Sequence, residues 1–228
     1  MKHRHVLAFS ALTFSALALL GACKREQPAT KTVPFSDDFD RTELGSDWLA
    51  SGGQWTIENG EIHTSGANNA PLFLKVALPK DVVVELDVFS ETPLVDSKVE
   101  LMTDGRTHQS GYVFVLGGWS NTISVIARRD EHGTDRQERK PTGVVGARWY
   151  HWRLEKKGGE VRWLIDGKPY LSFSDPEPID GPGHDRLALN NWQNRLRFDH
   201  LRIYPYDAAP AVKTSSSAAA PSGGTPSP

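Results

Sequence analysis

The sequence predicts an all-β domain, built as a β-sandwich of two antiparallel sheets. Three observations lead to this fold class. No segment of ten or more residues in the central part of the chain keeps an uninterrupted helical period, whereas short runs alternate apolar and polar residues. Pairs suited to tight hairpin turns, such as Asn59-Gly60 and Asp166-Gly167, separate these runs. The absence of a blade-length repeat favours a jelly roll over a propeller.

The predicted strands follow one another between turn signals. The clearest pair is Gln54–Ile57 and Glu61–Thr64, which flank Asn59-Gly60 and predict a type I′ hairpin. Trp55, Trp152 and Trp163 lie at alternating positions in strands and are predicted to be core residues. The remaining predicted strands are Leu72–Leu78, Val82–Ser90, Val99–Met102, Gly111–Leu116, Thr122–Arg128, Tyr150–Glu155, Val161–Ile165, Tyr170–Phe173, Leu187–Leu189 and Leu196–Tyr204.

The first residues have the layout of an export signal. Lys2 and Arg4 give a positive start, and the apolar run Val6–Leu20 is too short for a comfortable membrane span. The segment Leu20–Cys23 resembles the lipobox of bacterial lipoproteins, which implies cleavage after residue 22 and a lipid on Cys23. The alternative is an ordinary secreted protein whose cysteine happens to lie there.

Composition divides the rest of the chain into three parts. Residues 23–34 are polar and include Pro28, so they are predicted to form a flexible tether. Residues 207–228 are mostly Ala, Pro, Ser, Gly and Thr and are predicted to form a disordered tail. Between them, residues 35–206 are long enough for one sizeable core and too short for two typical domains. Cys23 is the only cysteine, so no internal disulfide staples this core.

The net charge of the chain indicates which partners to expect, and the residue after Cys23 indicates where the protein is located. The chain carries a formal net charge of −2, and its charges are interspersed. This pattern gives no basic footprint for nucleic acid, so no nucleic-acid partner is expected. In the lipoprotein resemblance, Lys24 follows the lipidated cysteine where inner-membrane-retained proteins often carry Asp. The resemblance therefore implies a lipid-anchored envelope protein, transferred to the outer membrane where the cell has one.

Four motifs, in this order along the chain, resemble a known superfamily. They are Asp37–Phe39, Gly53–Ile57, Trp149–Glu155 and Phe198–Ile203. Together they resemble bacterial concanavalin A-like, or laminin G-like, domains, and are most similar to the group of 3-keto-disaccharide hydrolases and related sugar-directed sandwiches. The resemblance implies a jelly roll over residues 35–206 but leaves function open, because one fold hosts many functions.

The same resemblance bears on cofactors. The sequence contains no short-spaced histidine pattern of the kind that binds zinc, and no cofactor is predicted. Related sandwiches often join their first and last strands through a structural calcium. The resemblance would place such an ion between Asp38 and Asp199, although no loop of alternating acids supports it.

Three acids on one predicted strand raise the question of catalysis. Glu85, Asp87 and Glu91 share a strand face, and paired carboxylates carry out glycoside hydrolysis. Laminarinase-type hydrolases have a similar strand, but the spacing from Asp87 to Glu91 departs from theirs. We interpret these acids as a solvated face. A strained serine elbow is also absent, so the sequence predicts no catalytic residue.

Two tryptophans outside the alternating strands are the best binding candidates. Trp119 lies in a Gly-rich turn with Asn121, and Trp192 lies in a polar stretch, predicted as a loop, with Asn190 and Asn191. An indole stacks on the apolar face of a sugar ring while amides bond its hydroxyl groups. Arg128 could line the same site. The alternative interpretation is that both tryptophans cap the ends of the core.

These observations combine into one expected function with two rivals. The sequence predicts a lipid-anchored envelope protein whose sandwich binds a glycan, or another cell-surface ligand, without chemistry of its own. One rival is a glycoside or keto-disaccharide hydrolase. The other is a purely structural or protein-interaction lipoprotein.

Overall fold

The computed structural model describes residues 31–212, which form fifteen strands in two antiparallel sheets. The predicted all-β, two-sheet sandwich is confirmed. The leader, Cys23, Lys24, most of the tether and the tail from residue 213 lie outside the described residues. No helix within 31–212 is long and apolar enough to cross a membrane. The strands are β1 Phe35–Asp37, β2 Trp48–Ala50, β3 Gln54–Glu58, β4 Glu61–Ser65, β5 Leu72–Leu74, β6 Val82–Ser90, β7 Ser97–Thr103, β8 Tyr112–Gly117, β9 Ile123–Arg128, β10 Gln137–Arg139, β11 Trp149–Lys157, β12 Glu160–Ile165, β13 Lys168–Ser174, β14 Arg186–Asn191 and β15 Arg195–Pro205; one helical turn, Gly118–Asn121, follows β8, and a 3₁₀ turn, Tyr206–Ala208, follows β15.

The two sheets enclose one main core. The first sheet has the order β13-β12-β11-β6-β15-β4-β3, with β1 also pairing with β15, and the second has the order β10-β9-β8-β7-β14-β5-β2. Trp152 and Trp163 of the first sheet are fully buried, with ring centroids 4.5 Å apart. Phe114 of the second sheet meets Trp163 edge-on at 5.7 Å. The prediction that Trp55, Trp152 and Trp163 are core residues is confirmed.

Most predicted strands appear within a few residues of their predicted bounds, and the β3–β4 hairpin turns at Asn59 and Gly60, both with positive φ. Three strands of three residues each, β1, β2 and β10, were not predicted, because such short segments show no alternation. The Leu72–Leu78 strand is shorter than predicted and ends at Leu74. Asn190 and Asn191 belong to β14 and not to a loop.

Strand β7 lies between β8 and β14, and its register sets the position of the site. Ser97, the first residue of β7, pairs with Leu116 near the end of β8 and with Asn191 at the end of β14. Because both neighbours run antiparallel to β7, the residues before β7 and those after β8 and β14 meet at one end of the second sheet.

The outer face of the second sheet is largely covered. Val113, Val115 and Val125 form a second apolar cluster there, separate from the main core. On the same face of β7, Lys98 is only 4% exposed and Glu100 is fully buried. An outer sheet face is normally polar and wet, so buried residues of both kinds mean that loops fold over this face.

Candidate functional site

A cavity of about 500 Å³ opens on the outer face of the second sheet. Its size falls in the range of small-ligand sites. We call it the outer-face pocket. It is lined by Asn69, Leu94, Asp96, Lys98, Val115, Gly118, Trp119, Ser120, Glu131, His132, Trp192, Gln193 and Asn194.

The two tryptophans singled out from the sequence both line this pocket. Trp119 follows β8 and Trp192 follows β14, so the strand order places them on either side of β7. Trp192 is 44% exposed. Trp119 packs on the Val113–Val115–Val125 cluster and meets the His132 ring edge-on, with the centroids 5.4 Å apart. Trp192 therefore offers exposed ring surface at the cavity, whereas Trp119 is half-buried and has the Arg136 guanidinium 5.0 Å from the centre of its ring.

Trp119 forms one wall of the pocket, which we call the Trp119 wall, and a turn with left-handed backbone conformation positions it. Trp119, Ser120 and Asn121 have φ values of 50°, 60° and 64°, which non-glycine residues rarely adopt. The Asn121 side chain fixes this turn, because its Oδ1 accepts from the Val95 N–H at 2.8 Å and its Nδ2 donates to the Pro93 carbonyl at 2.9 Å. The predicted ligand-binding amide of Asn121 is thus engaged in joining two loops.

Lys98 joins the opposite walls of the pocket. Its Nζ donates to Asn69 Oδ1 at 2.8 Å and lies 2.9 Å from both carboxylate oxygens of Glu131. The lysine and Glu131 side chains are only 5% and 7% exposed. Asn69 belongs to the loop after β4 and Glu131 to the loop after β9, so one buried cation anchors two covering segments.

Asp96 presents a carboxyl group to the pocket, directly before β7. The side chain makes no hydrogen bond or ion pair with another residue in the described part of the chain. Burial raises the pKa of this carboxyl; the positive charge of Lys98 opposes the rise, and the negative charge of Glu131 adds to it. Asp96 also has a φ of 32°. It is a partly dehydrated acid held in an unusual backbone conformation beside two indoles.

Two predicted binding residues, Asn190 and Asn191, do not line the pocket. Both side chains are fully buried. Asn190 Nδ2 donates to Glu100 Oε1 at 2.8 Å, and Asn191 Oδ1 accepts from the Ala67 N–H at 3.0 Å. These amides are used inside the protein because β14 continues through them, so their side chains are not offered to a ligand.

Arg128 also lies away from the outer-face pocket. Its Nε donates to Asp175 Oδ2 at 3.0 Å and its guanidinium donates to the Glu177 carbonyl at 3.0 Å. Asp175 accepts from Tyr112 as well, at 2.7 Å. Arg128 therefore secures the segment after β13, a structural role that its sequence position did not reveal.

Of the three acids weighed as catalytic candidates, Glu85 and Asp87 lie in β6 of the first sheet, whereas Glu91 follows the end of that strand; none of them lines the pocket. Each carboxylate is paired with basic side chains, and the Glu85, Asp87 and Glu91 side chains are only 18%, 26% and 32% exposed. The pairs are Glu85 with Arg153 at 2.6 Å, Asp87 with His151 at 2.7 Å and His200 at 2.9 Å, and Glu91 with Arg195 at 3.4 Å. Although burial opposes the change, hydrogen bonds from the two histidines lower the pKa of Asp87, and the bond to Asp87 raises that of His151.

Asp38 and Asp199 come together, as the resemblance implied. Their carboxylates and a nitrogen of His200 lie within 4.8 Å of one another. The donor set fits calcium poorly, because calcium takes six to eight oxygen ligands. The Arg202 guanidinium also lies 2.6 Å from Asp38 Oδ1 and already balances that charge.

The three charged residues Asp96, Lys98 and Glu131 of the pocket lining were not predicted from the sequence. Lys98 precedes the predicted strand Val99–Met102 and was not singled out from the sequence. Asp96 and Glu131 lie in loops and belong to no recognisable motif. The register of β7 and the folding of the loops bring them together, and no local pattern encodes either.

Comparisons with known proteins agree with this fold. No family model matches the chain. The chain is similar to an extracellular exo-α-L-arabinofuranosidase of Streptomyces chartreusis, with 24% identity over 147 residues; the match covers 64% of the chain but only 18% of that enzyme's length.

Solved structures give a longer alignment. The carbohydrate-binding module CBM66 from Bacillus subtilis aligns with a TM-score of 0.59 and 14% identity, covering 71% of this chain and 98% of the module. A Bacillus licheniformis β-glucanase aligns with a TM-score of 0.57 and 11% identity, covering 75% and 97%. At such identities the likeness shows the fold alone: the jelly roll that carbohydrate-binding modules and glycoside hydrolases use.

Proposed function

We propose that the protein binds a glycan in the outer-face pocket. The observation that carries this proposal is the placement of Trp119 and Trp192 at one cavity, on either side of β7. Exposed indole surface in a cavity suits the apolar face of a sugar ring. The structural neighbours, a carbohydrate-binding module and glucanases, support the same class of ligand.

The side chains that we propose to bind the sugar hydroxyl groups differ from those that the sequence analysis suggested. Asp96, Ser120 and Gln193 line the pocket, and their side chains make no hydrogen bond within residues 31–212. A site of this kind combines apolar walls with a few unsatisfied polar groups. These three side chains replace Asn190 and Asn191 as the proposed hydrogen-bonding partners.

A glycan array followed by calorimetry tests the proposal. The array includes β-glucans and α-L-arabinofuranosides, because two of the similar proteins are a β-glucanase and an arabinofuranosidase. Binding of at least one glycan is expected. If no carbohydrate binds the folded domain, the protein-interaction function is favoured instead.

Trp192→Ala separates a binding role from a structural one. We expect affinity for the glycan to fall about tenfold or more, equivalent to about 1.4 kcal/mol, with little change in the melting temperature. Trp152→Ala is the control, because it removes a fully buried indole and should cost about 3–5 kcal/mol of unfolding free energy. If Trp192→Ala melts like Trp152→Ala and keeps its affinity, Trp192 is a core cap.

We also propose that a lipid on Cys23 anchors the domain at the cell envelope. In a cell that has an outer membrane, we expect the anchor to lie in that membrane. The lipobox-like segment Leu20–Cys23 and the lysine at position 24 support this localisation. The assignment to the 3-keto-disaccharide hydrolase group stays a prediction, carried by the sequence motifs.

A further inference from the structure

The Asp96 carboxyl group differs from the other acids of residues 31–212 that are buried or half-buried. Each of the others accepts a hydrogen bond or forms an ion pair, whereas the carboxyl of Asp96 does neither. Lys98, the lysine of the pocket lining, already bonds Glu131 and Asn69. Removing a carboxylate from water without a partner is unfavourable, so Asp96 has unused capacity to bind a ligand.

The pocket lining also carries an uncompensated negative charge. Its charged side chains are Asp96, Lys98 and Glu131. Lys98 and Glu131 compensate each other, because the lysine Nζ lies 2.9 Å from the carboxylate. With His132 neutral, the lining therefore retains the charge of Asp96. A sugar hydroxyl group would fill the lone pairs of Asp96 and leave this charge in place, whereas a cationic group would fill the lone pairs and compensate the charge.

An open aromatic ring lies in the same pocket. Trp192 is 44% exposed, and within the described part of the chain no lysine or arginine lies over its ring. Trp119, in contrast, already has the Arg136 guanidinium 5.0 Å from its ring centre. The face of an indole attracts cations and also stacks on the apolar face of a sugar ring. The open indole thus suits a ligand that has both features.

The backbone holds Asp96 in place before any ligand binds. The Asp96 N–H donates to the Gly117 carbonyl at 3.3 Å, and the N–H of the preceding Val95 donates to Asn121 Oδ1 at 2.8 Å. Gly117 and Asn121 flank the turn that carries Trp119. The carboxyl group is therefore fixed to the Trp119 wall, and little ordering is needed when it takes a ligand.

We propose that the glycan bound in the outer-face pocket contains an amino sugar, whose protonated amino group pairs with the Asp96 carboxylate. This inference rests on the proposed glycan-binding function and narrows its class of ligand. Asp96 takes the ammonium group, and Ser120 and Gln193 remain for the hydroxyl groups. The ring of the sugar stacks on Trp192. N-acetylation neutralises the amino group, so the acetylated form of the same glycan loses the ion pair.

Two matched probes test the charge. They are β-1,4-linked glucosamine oligomers and the same oligomers fully N-acetylated, measured by calorimetry at a mildly acidic pH that keeps the amino groups protonated. A hydrogen bond to a charged group contributes more than a neutral one, so we expect the glucosamine oligomer to bind at least about tenfold more tightly. Added salt should reduce this ratio, because it screens the ion pair.

Two variants and one further probe locate the effect. Asp96→Asn keeps the shape of the side chain and should remove the preference for the glucosamine oligomer, with circular dichroism confirming the fold. Asp40→Asn changes an exposed aspartate outside the pocket and should keep the preference. Spermidine supplies protonated amines without a sugar ring, and it should bind at least about tenfold more weakly than the glucosamine oligomer.

The outcomes separate this inference from the proposed function. Equal affinity for the two oligomers, or a preference that persists in Asp96→Asn, overturns the pairing of Asp96 with an amino group and leaves glycan binding standing. The same holds if a neutral glycan of the array binds and the glucosamine oligomer does not. Spermidine binding as tightly as the glucosamine oligomer would show that the pocket recognises amines and not an amino sugar. Failure of every carbohydrate to bind overturns the proposed function itself.

Discussion

At the scale of single residues, Asp96 lines the proposed binding pocket and its carboxyl group makes the stability of the fold depend on pH. Its pKa is raised, so the native state binds this proton more tightly than the unfolded chain does. Stability therefore falls as pH rises from the ordinary aspartate range through the native pKa. At neutral pH the ionised Asp96 carboxyl therefore lowers the free energy of unfolding.

Asp96→Asn should accordingly stabilise the protein at neutral pH. Asparagine keeps the shape, tolerates a positive φ and removes the buried charge. We expect the melting temperature at pH 7 to rise by no more than about 4 °C, and the difference from wild type to vanish below about pH 4, where the native aspartate is protonated. Scanning calorimetry across this pH range measures the effect. A lower melting temperature at pH 7 would show that the carboxylate stabilises the fold.

At the scale of elements, sequence patterns predicted the long strands well. Alternation located β6 at Val82–Ser90, and the Asn59-Gly60 and Asp166-Gly167 turns fixed two hairpins. The pattern failed where an element left no periodic signal, as in β1, β2 and β10. It also failed at Asn190 and Asn191, which look like loop residues but continue a strand because Glu100 and the Ala67 backbone satisfy their amides.

The turn after β8 offers an element-scale prediction. Gly117 has a φ of 65°, and a Cβ there would lie 2.7 Å from Asn121 Oδ1 and 2.8 Å from Val144 Cγ2. Gly117→Ala should therefore cost at least about 1–2 kcal/mol of unfolding free energy. It should also weaken glycan binding, because the Asn121 contacts hold the Trp119 wall. Chemical denaturation and calorimetry measure the two effects.

Gly143→Ala is the control for this substitution. Gly143 has a similar φ of 69°, but a Cβ there would meet nothing within 4 Å. Gly143→Ala should therefore lose stability through backbone strain alone. Gly117→Ala should lose more, because its Cβ also crowds the pocket wall. Equal losses of stability, with equal affinity for the glycan, would show that the turn does not support the binding wall.

At the scale of the whole molecule, the candidate site arises from strand order. Trp119 and Trp192 could be chosen from the sequence as unusual loop aromatics, but nothing local showed that they share a cavity. Only the pairing of Ser97 with both Leu116 and Asn191 brings them together around β7. Non-local register of this kind depends on the complete sheet, which explains why Asp96 and Glu131 were missed.

The attachment of the protein gives a prediction at the same scale. Replacing Cys23 with alanine should release the protein from the membrane fraction, because the expected acyl chains would be lost and each buried methylene contributes about 0.8 kcal/mol. Fractionation of cells that produce wild-type or Cys23→Ala protein provides the measurement. A variant that pellets with membranes as the wild type does would show that lipid on this cysteine is not the anchor.

The pairing of β1 with β15 has a consequence for orientation. Phe35 lies opposite Ile203, so the chain enters and leaves the domain side by side. Strand β15 begins at Arg195, directly after the pocket residues, and runs eleven residues to Pro205. The eight residue steps from Arg195 to Ile203 span at most about 26 Å, so Phe35 lies up to that far along β15 from the pocket residue Asn194. A domain held through its N-terminal side would therefore keep Asn194 and the pocket residues near it away from the surface that holds it, and a fusion at its C-terminal side would leave the pocket uncovered.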